Sequence, residues 1–129
     1  MIVVDTGVWI DHLRDRSTSA VTSFLRLIDT DTEIAVTGVI RMELLRGARA
    51  CEYVQLSEAL DAFTLLDTQA CDYDAAATLF RAARGAGVAV RNSIDYLIAA
   101  PCIRTGTPLL HSDADFDKLA AVSDLRIVS

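Results

Sequence analysis

Short, wholly apolar runs alternate along this chain with longer stretches of helical periodicity, and that alternation limits the fold more than any other feature. Ile2-Val3-Val4 is apolar at consecutive positions, as a strand buried on both faces requires. Glu33 to Thr37, Phe63 to Asp67 and Pro108 to His111 read as further strands, and Arg126 to Val128 as a short terminal one. Between them lie helical patterns from Val8 to Arg14, Ser19 to Ile28, Gly38 to Gly47 and Tyr53 to Asp61. Three more follow, one opening near Asp72 and Asp74 and stopping at Gly85-Ala86-Gly87, then Ser93 to Thr105 and Asp113 to Ala121. Strands separated by helices pair in parallel and are covered on both faces. The expected fold class is therefore α/β, with a central parallel sheet of four to five short strands.

Local signals refine this outline. The second helix should bury Val21, Phe24, Leu25 and Ile28 as one stripe, and the long helix after Asp72 should bury Ala76, Leu79, Phe80 and Ala83. Ser93 reads as the N-cap of its helix, with Asp95 in the first turn. Pro101 falls inside that helix and removes a hydrogen bond to the Leu97 carbonyl, so a kink is expected there rather than a break.

A length of 129 residues suits one domain, 1–129, and 52% hydrophobic residues can fill its core. No apolar run approaches the ~18 residues of a membrane span. The first run lacks a basic leader and is broken by Asp5, so a signal peptide is not expected. Cys51, Cys71 and Cys102 show no metal-binding spacing and read as small, reduced core residues of a cytoplasmic protein. The net charge of -6 argues against a broad basic nucleic-acid face, although metal-binding acids would make an unloaded nuclease look acidic.

Four of the acids need a reason. Asp5 ends the first strand, Glu43 shares a helical face with Ile40, Leu44 and Gly47, Asp95 opens Tyr96-Leu97-Ile98, and Asp113 follows Leu109-Leu110. Taken singly, Asp5 reads as a turn residue, Asp95 as a first-turn acid and Asp113 as an N-cap. Glu43 resists such a reading, because a lone carboxylate on an apolar face is costly. Brought together, the four would repel one another unless a hard cation sat among them, and Mg²⁺ or Mn²⁺ fits oxygen ligands best.

The segments carrying these acids resemble a known family. Val3-Val4-Asp5-Thr6-Gly7-Val8-Trp9-Ile10, Val39 to Gly47, Val90 to Ala100 and His111-Ser112-Asp113-Ala114-Asp115-Phe116 look like PIN-domain ribonucleases. More narrowly, the chain is similar to VapC toxins of bacterial type II toxin–antitoxin pairs. The resemblance implies a PIN-like fold and a Mg²⁺- or Mn²⁺-dependent endoribonuclease. It also implies a homodimer, restrained by a VapB-like antitoxin whose C-terminal tail crosses the site. Asp5, Glu43, Asp95 and Asp113 match its four acids, Asp115 an additional one, and Thr6 a hydroxyl that positions the site. Gly7 stands where many members have Ser or Thr, and Pro101 where a helix former is usual.

On that reading Asp5, Asp95 and Asp113 are the metal ligands, while Glu43 completes the shell or acts as general base. Arg91, just before the Asp95 helix, would grip a substrate phosphate or pair with a neighbouring acid. His12 reads as a surface residue, His111 as a hydrogen-bonded core histidine, and Trp9 as core or interface. An antitoxin helix is expected in a groove lined by the early helices that contain Trp9, Leu13, Phe24 and Leu27. The rival reading is a receiver-type signalling domain with Asp67 as phosphoacceptor, although only Lys118 is available as the lysine it requires. A haloacid-dehalogenase-like phosphatase is disfavoured, since it needs a second acid where Gly7 stands.

Overall fold

A computed structural model of the chain describes residues 1–128. Four strands, β1 (Ile2–Val4), β2 (Ile34–Thr37), β3 (Thr64–Leu66) and β4 (Leu109–Leu110), form one sheet in the order β3-β2-β1-β4. All the strand pairs are parallel, with Ile2 opposite Ile34, Val3 opposite Leu109 and Ala35 opposite Thr64. Consecutive residues of β2 are all buried, so both faces of the sheet are covered, as the unbroken apolar run requires. Arg126 to Val128 adds only an isolated parallel bridge between Ile127 and Leu109, short of a fifth strand.

The chain leaves β1 in one direction to build β2 and β3, then returns to lay β4 on β1's other edge. That reversal opens a crevice at the carboxyl ends of β1 and β4. It also excludes the receiver reading. A receiver sheet, ordered 2-1-3-4-5, places its third strand beside the first, whereas here β3 is the outer strand and Asp67 an exposed residue at the sheet's edge.

Among the described residues seven helices surround the sheet: α1 (Thr6–Leu13), α2 (Ser19–Asp29), α3 (Gly38–Gly47), α4 (Tyr53–Leu60), α5 (Ala70–Gly85), α6 (Ser93–Thr105) and α7 (Ala114–Ala121). Helix α1 starts two residues earlier than its apolar pattern indicates, because Asp5 is its N-cap and the helix follows β1 at once. In α2 only part of the expected stripe is buried. Val21 and Phe24 enter the core, while Leu25 and Ile28 are about two-fifths exposed. The same holds in α5, where Leu79 and Ala83 are buried and Phe80 is exposed. Trp9 belongs to the core, edge-on to Phe24 and Phe63 at 4.8 and 5.0 Å. His12 is half-buried, edge-on to Phe24. Of the cysteines only Cys102 is buried; Cys51 and Cys71 are exposed, contrary to their reading as core.

Helix α6 runs unbroken through Pro101 and ends on Gly106, whose φ of 66° suits a residue without a Cβ. Its N-cap is Asn92 rather than Ser93, since the Asn92 side chain accepts from the Ile94 N–H at 3.0 Å. Where α6 meets α5, Asp72 is 1% exposed and accepts from Arg104 Nε at 2.9 Å and from its Nη2 at 3.1 Å. Arg104 also donates to the Asp67 carbonyl, and Asp72 accepts from the Gln69 N–H in a capping box. Burial alone would raise the Asp72 pKa, but Arg104 and Gln69 hold it below the ordinary carboxylate range.

This pair fixes α6, the helix that carries Asp95. Asp72→Ala should lower unfolding free energy by about 2–3 kcal/mol in urea denaturation, the low end for a broken buried pair because Arg104 reaches solvent. A loss below about 1 kcal/mol would show that the pair is dispensable.

Candidate metal centre

Each acid reaches the crevice from a different element. Asp5 arrives on β1 and Glu43 on α3, which starts directly after β2 because the buried Thr37 caps it, accepting from the Ile40 N–H at 3.2 Å. Asp95 comes from the first turn of α6, and Asp113 from the N-cap of α7 just after β4. Together with Thr6, Gly7, Asn92, Ser112 and Ala114, these four acids line an open cavity of about 470 Å³.

The ligand geometry departs in one respect from the expected set of Asp5, Asp95 and Asp113. The three acids whose oxygens lie within 4.8 Å of one another are Asp95, Asp113 and Asp115. Asp115 therefore stands beside Asp95 and Asp113, while Asp5 lines the same cavity as those two. Lys118 lies 3.4 Å from Asp115 on the solvent side. Glu43 is held from within by Thr6, whose hydroxyl donates to its Oε1 at 2.8 Å, so Thr6 does have a positioning contact. Arg46 stands 3.9 Å from the other Glu43 oxygen. Arg91 is exposed, lies outside the cavity lining, and has no ion pair among the described residues.

Asn92 and Ser112 line the cavity and were not singled out by the sequence. Asn92 was legible as a cap-forming residue three positions before Asp95. Ser112 becomes informative only beside Gly7, where an added Cβ would lie 3.3 Å from the Ser112 hydroxyl and 3.8 Å from Asp5 Oδ2. A hydroxyl from the neighbouring loop therefore stands against the backbone of Gly7.

The single-residue readings of the acids fare differently. Asp113 does cap its helix, accepting from the Asp115 N–H at 2.9 Å, yet it faces the cavity as well. Asp5 is an N-cap without a side-chain cap bond. Burial raises its pKa to about 6, the Thr6 and Gly7 N–H groups opposing the shift and the Glu43 charge adding to it. Asp95 rises further, to about 7, first through burial and then through the charges of Asp113, Asp5, Asp115 and Glu43. One carboxylate thus feels four others. That is the electrostatic signature of a site suited to a divalent cation, and an all-oxygen donor set favours Mg²⁺ or Mn²⁺ over zinc.

Both shifts are upward, so between about pH 4 and pH 7 the folded protein holds protons that the unfolded chain has released. Without metal, stability should therefore fall as pH rises across that window. Asp72, shifted downward, acts only below it. Melting curves from pH 4.5 to 8 should show this decline, with Mn²⁺ restoring stability at the upper end and Asp95→Asn flattening the slope. A metal-free protein whose stability is level or rising through that window would contradict the coupling of the acids.

The PIN domain family pattern matches residues 2–122. VapC ribonuclease Mb1587 of Mycobacterium bovis is 37% identical over 132 residues, covering 100% of this chain and 98% of its own. Ribonuclease VapC19 of Mycobacterium tuberculosis is 35% identical over 114 residues, covering 85% of this chain and 86% of its own. Among solved structures, VapBC from Salmonella typhimurium bound to DNA superposes with a TM-score of 0.78 at 16% identity, over 99% of this chain and 98% of that one. VapBC2 from Rickettsia felis, bound to promoter DNA, gives 0.76 at 19%, with the same two coverages. The matched pattern spans nearly the whole chain, and with the full-length likeness to a VapC ribonuclease it places this protein in the PIN-domain family.

Proposed function

We propose that this protein is the toxin of a type II toxin–antitoxin pair, an endoribonuclease that hydrolyses RNA phosphodiesters at the cavity lined by Asp5, Glu43, Asp95 and Asp113, with Asp115 beside it. The observation that carries the reading is the meeting of Asp5, Glu43, Asp95 and Asp113 in one cavity at the topological switch point. Asp95 and Asp113 would hold the ion, with Asp5 and Asp115 offering further oxygens. When bound, Mg²⁺ or Mn²⁺ would offset charge building on the phosphate and acidify a coordinated water.

Glu43, which accepts from the Thr6 hydroxyl, would take the proton as the water oxygen attacks phosphorus. In-line attack breaks the bond to the 3′ oxygen, which takes a proton from solvent, leaving a 5′-phosphate and a 3′-hydroxyl. Asp5→Asn, Glu43→Gln, Asp95→Asn and Asp113→Asn should each lower cleavage at least a hundredfold while melting, metal-free, at or above the native temperature. Full activity in the Asp5 or Asp95 variant would overturn the assignment.

Inhibition follows from the same charges. The solved neighbours include a toxin–antitoxin complex from Klebsiella pneumoniae and VapBC assemblies. Of the residues named for the expected groove, Trp9 and Phe24 are buried against each other, while Leu13 is exposed. An open groove of about 690 Å³ lies instead along α1, α3 and α4, lined by Ile10, Leu13, Leu44 and Leu56, and it reaches Glu43. An antitoxin helix laid there would bring a cationic tail to the acids, where it would compete with metal. Antitoxin affinity should fall when Mn²⁺ is added, and the effect should vanish in Asp95→Asn. Affinity indifferent to both would place inhibition away from the acids.

A further inference from the structure

The loop that delivers Asp113 is held by a histidine with no part in the proposed chemistry. Strand β4 ends at Leu110, and the next side chain, His111, is 7% exposed. Its Nδ1 accepts from the Asp113 backbone N–H at 3.0 Å. A backbone N–H can only donate, so Nδ1 carries no proton and the neutral ring bears its hydrogen on Nε2. That nitrogen lies 3.0 Å from Asp117 Oδ1, which accepts from it. The ring also leans on the buried Phe116 at 5.4 Å.

Two bonds in succession then set the direction of Asp113. His111 fixes its backbone N–H, and its own Oδ1 accepts from the Asp115 N–H at 2.9 Å. So held, the Asp113 carboxylate offers an oxygen within 4.8 Å of oxygens of Asp95 and Asp115. Asp117, one helical turn beyond Asp113, locks the tautomer without itself lining the cavity.

We propose that the His111–Asp117 pair is the positioning device of the metal centre, acting on the ion through the backbone of Asp113. This rests on the metal reading above and adds two residues to it. The geometry singles out one ring nitrogen. An Asn side chain at 111 places Oδ1 where Nδ1 stands and accepts the same N–H. A Gln reaches towards Asp117 but lacks that acceptor.

Mn²⁺ binding, followed by calorimetry on the full chain, separates these roles. Native protein should bind. Failure of the native chain to bind would remove the metal reading itself, and the positioning role with it. Given native binding, His111→Asn should stay within about threefold of native affinity, whereas His111→Gln should lose about tenfold or more, in the range usual for the outer partners of metal ligands. Asp117→Ala should lose several-fold. Metal-free melting temperatures of the Asn and Gln variants should agree within a few degrees, since a purely structural role would move both alike. Gln binding as tightly as native, or Asn losing as much as Gln, would overturn the proposal. Nitrogen-15 NMR of the native metal-free protein gives an independent check: His111 should show a proton on Nε2 and none on Nδ1, and a protonated Nδ1 would equally overturn it.

Discussion

Repulsion among carboxylates gathered at the mouth of a parallel sheet is the constraint on which this structure turns. Asp95 is buried and surrounded by four other acids, so its ionised form is strongly disfavoured in the absence of a cation. A fold that keeps five acids in one crevice must hold them there by other means. Much of the architecture outside the crevice meets that demand.

Three anchors stand out. The strand-to-helix junctions at Asp5 and Thr37 are immediate, so α1 and α3 start where the sheet ends and their first turns inherit its rigidity. The Asp72–Arg104 pair ties the far end of α6 to α5 and to the Asp67 carbonyl, fixing the helix whose opposite end carries Asp95. The third anchor is the loop after β4, where side chains bond backbone amides at consecutive alternate positions. In each case the element that carries an acid is fixed by its junction or by its hydrogen bonds, so the acids stay gathered in the crevice.

The sequence made the architecture legible because buried strands and helices differ in period. Ile2-Val3-Val4 admits few readings other than a buried strand, and the four acids, each at an apolar border, pointed to one another. The misreadings have a common cause. Periodicity marks an apolar stripe but not what covers it, so Leu25, Ile28 and Phe80 were assigned to a core that does not reach them. Asp72 does start α5 as a first-turn acid, but its buried pair with Arg104, 32 residues away, lies beyond any local pattern. Ser112 and Asn92 carry no chemical signature alone and gain meaning only from the shape of the cavity. The rank of Asp115 turned on oxygen distances that spacing cannot supply.

The central claim is that these carboxylates form one divalent-cation site. Crystals of the protein grown with Mn²⁺ and measured at a wavelength where manganese scatters anomalously test it most directly. The expected result is an anomalous peak about 2 Å from oxygens of Asp95 and Asp113, with Asp5 or Asp115 completing the protein ligands. A well-ordered cavity without such a peak at millimolar Mn²⁺, or a peak only elsewhere on the protein, would contradict it.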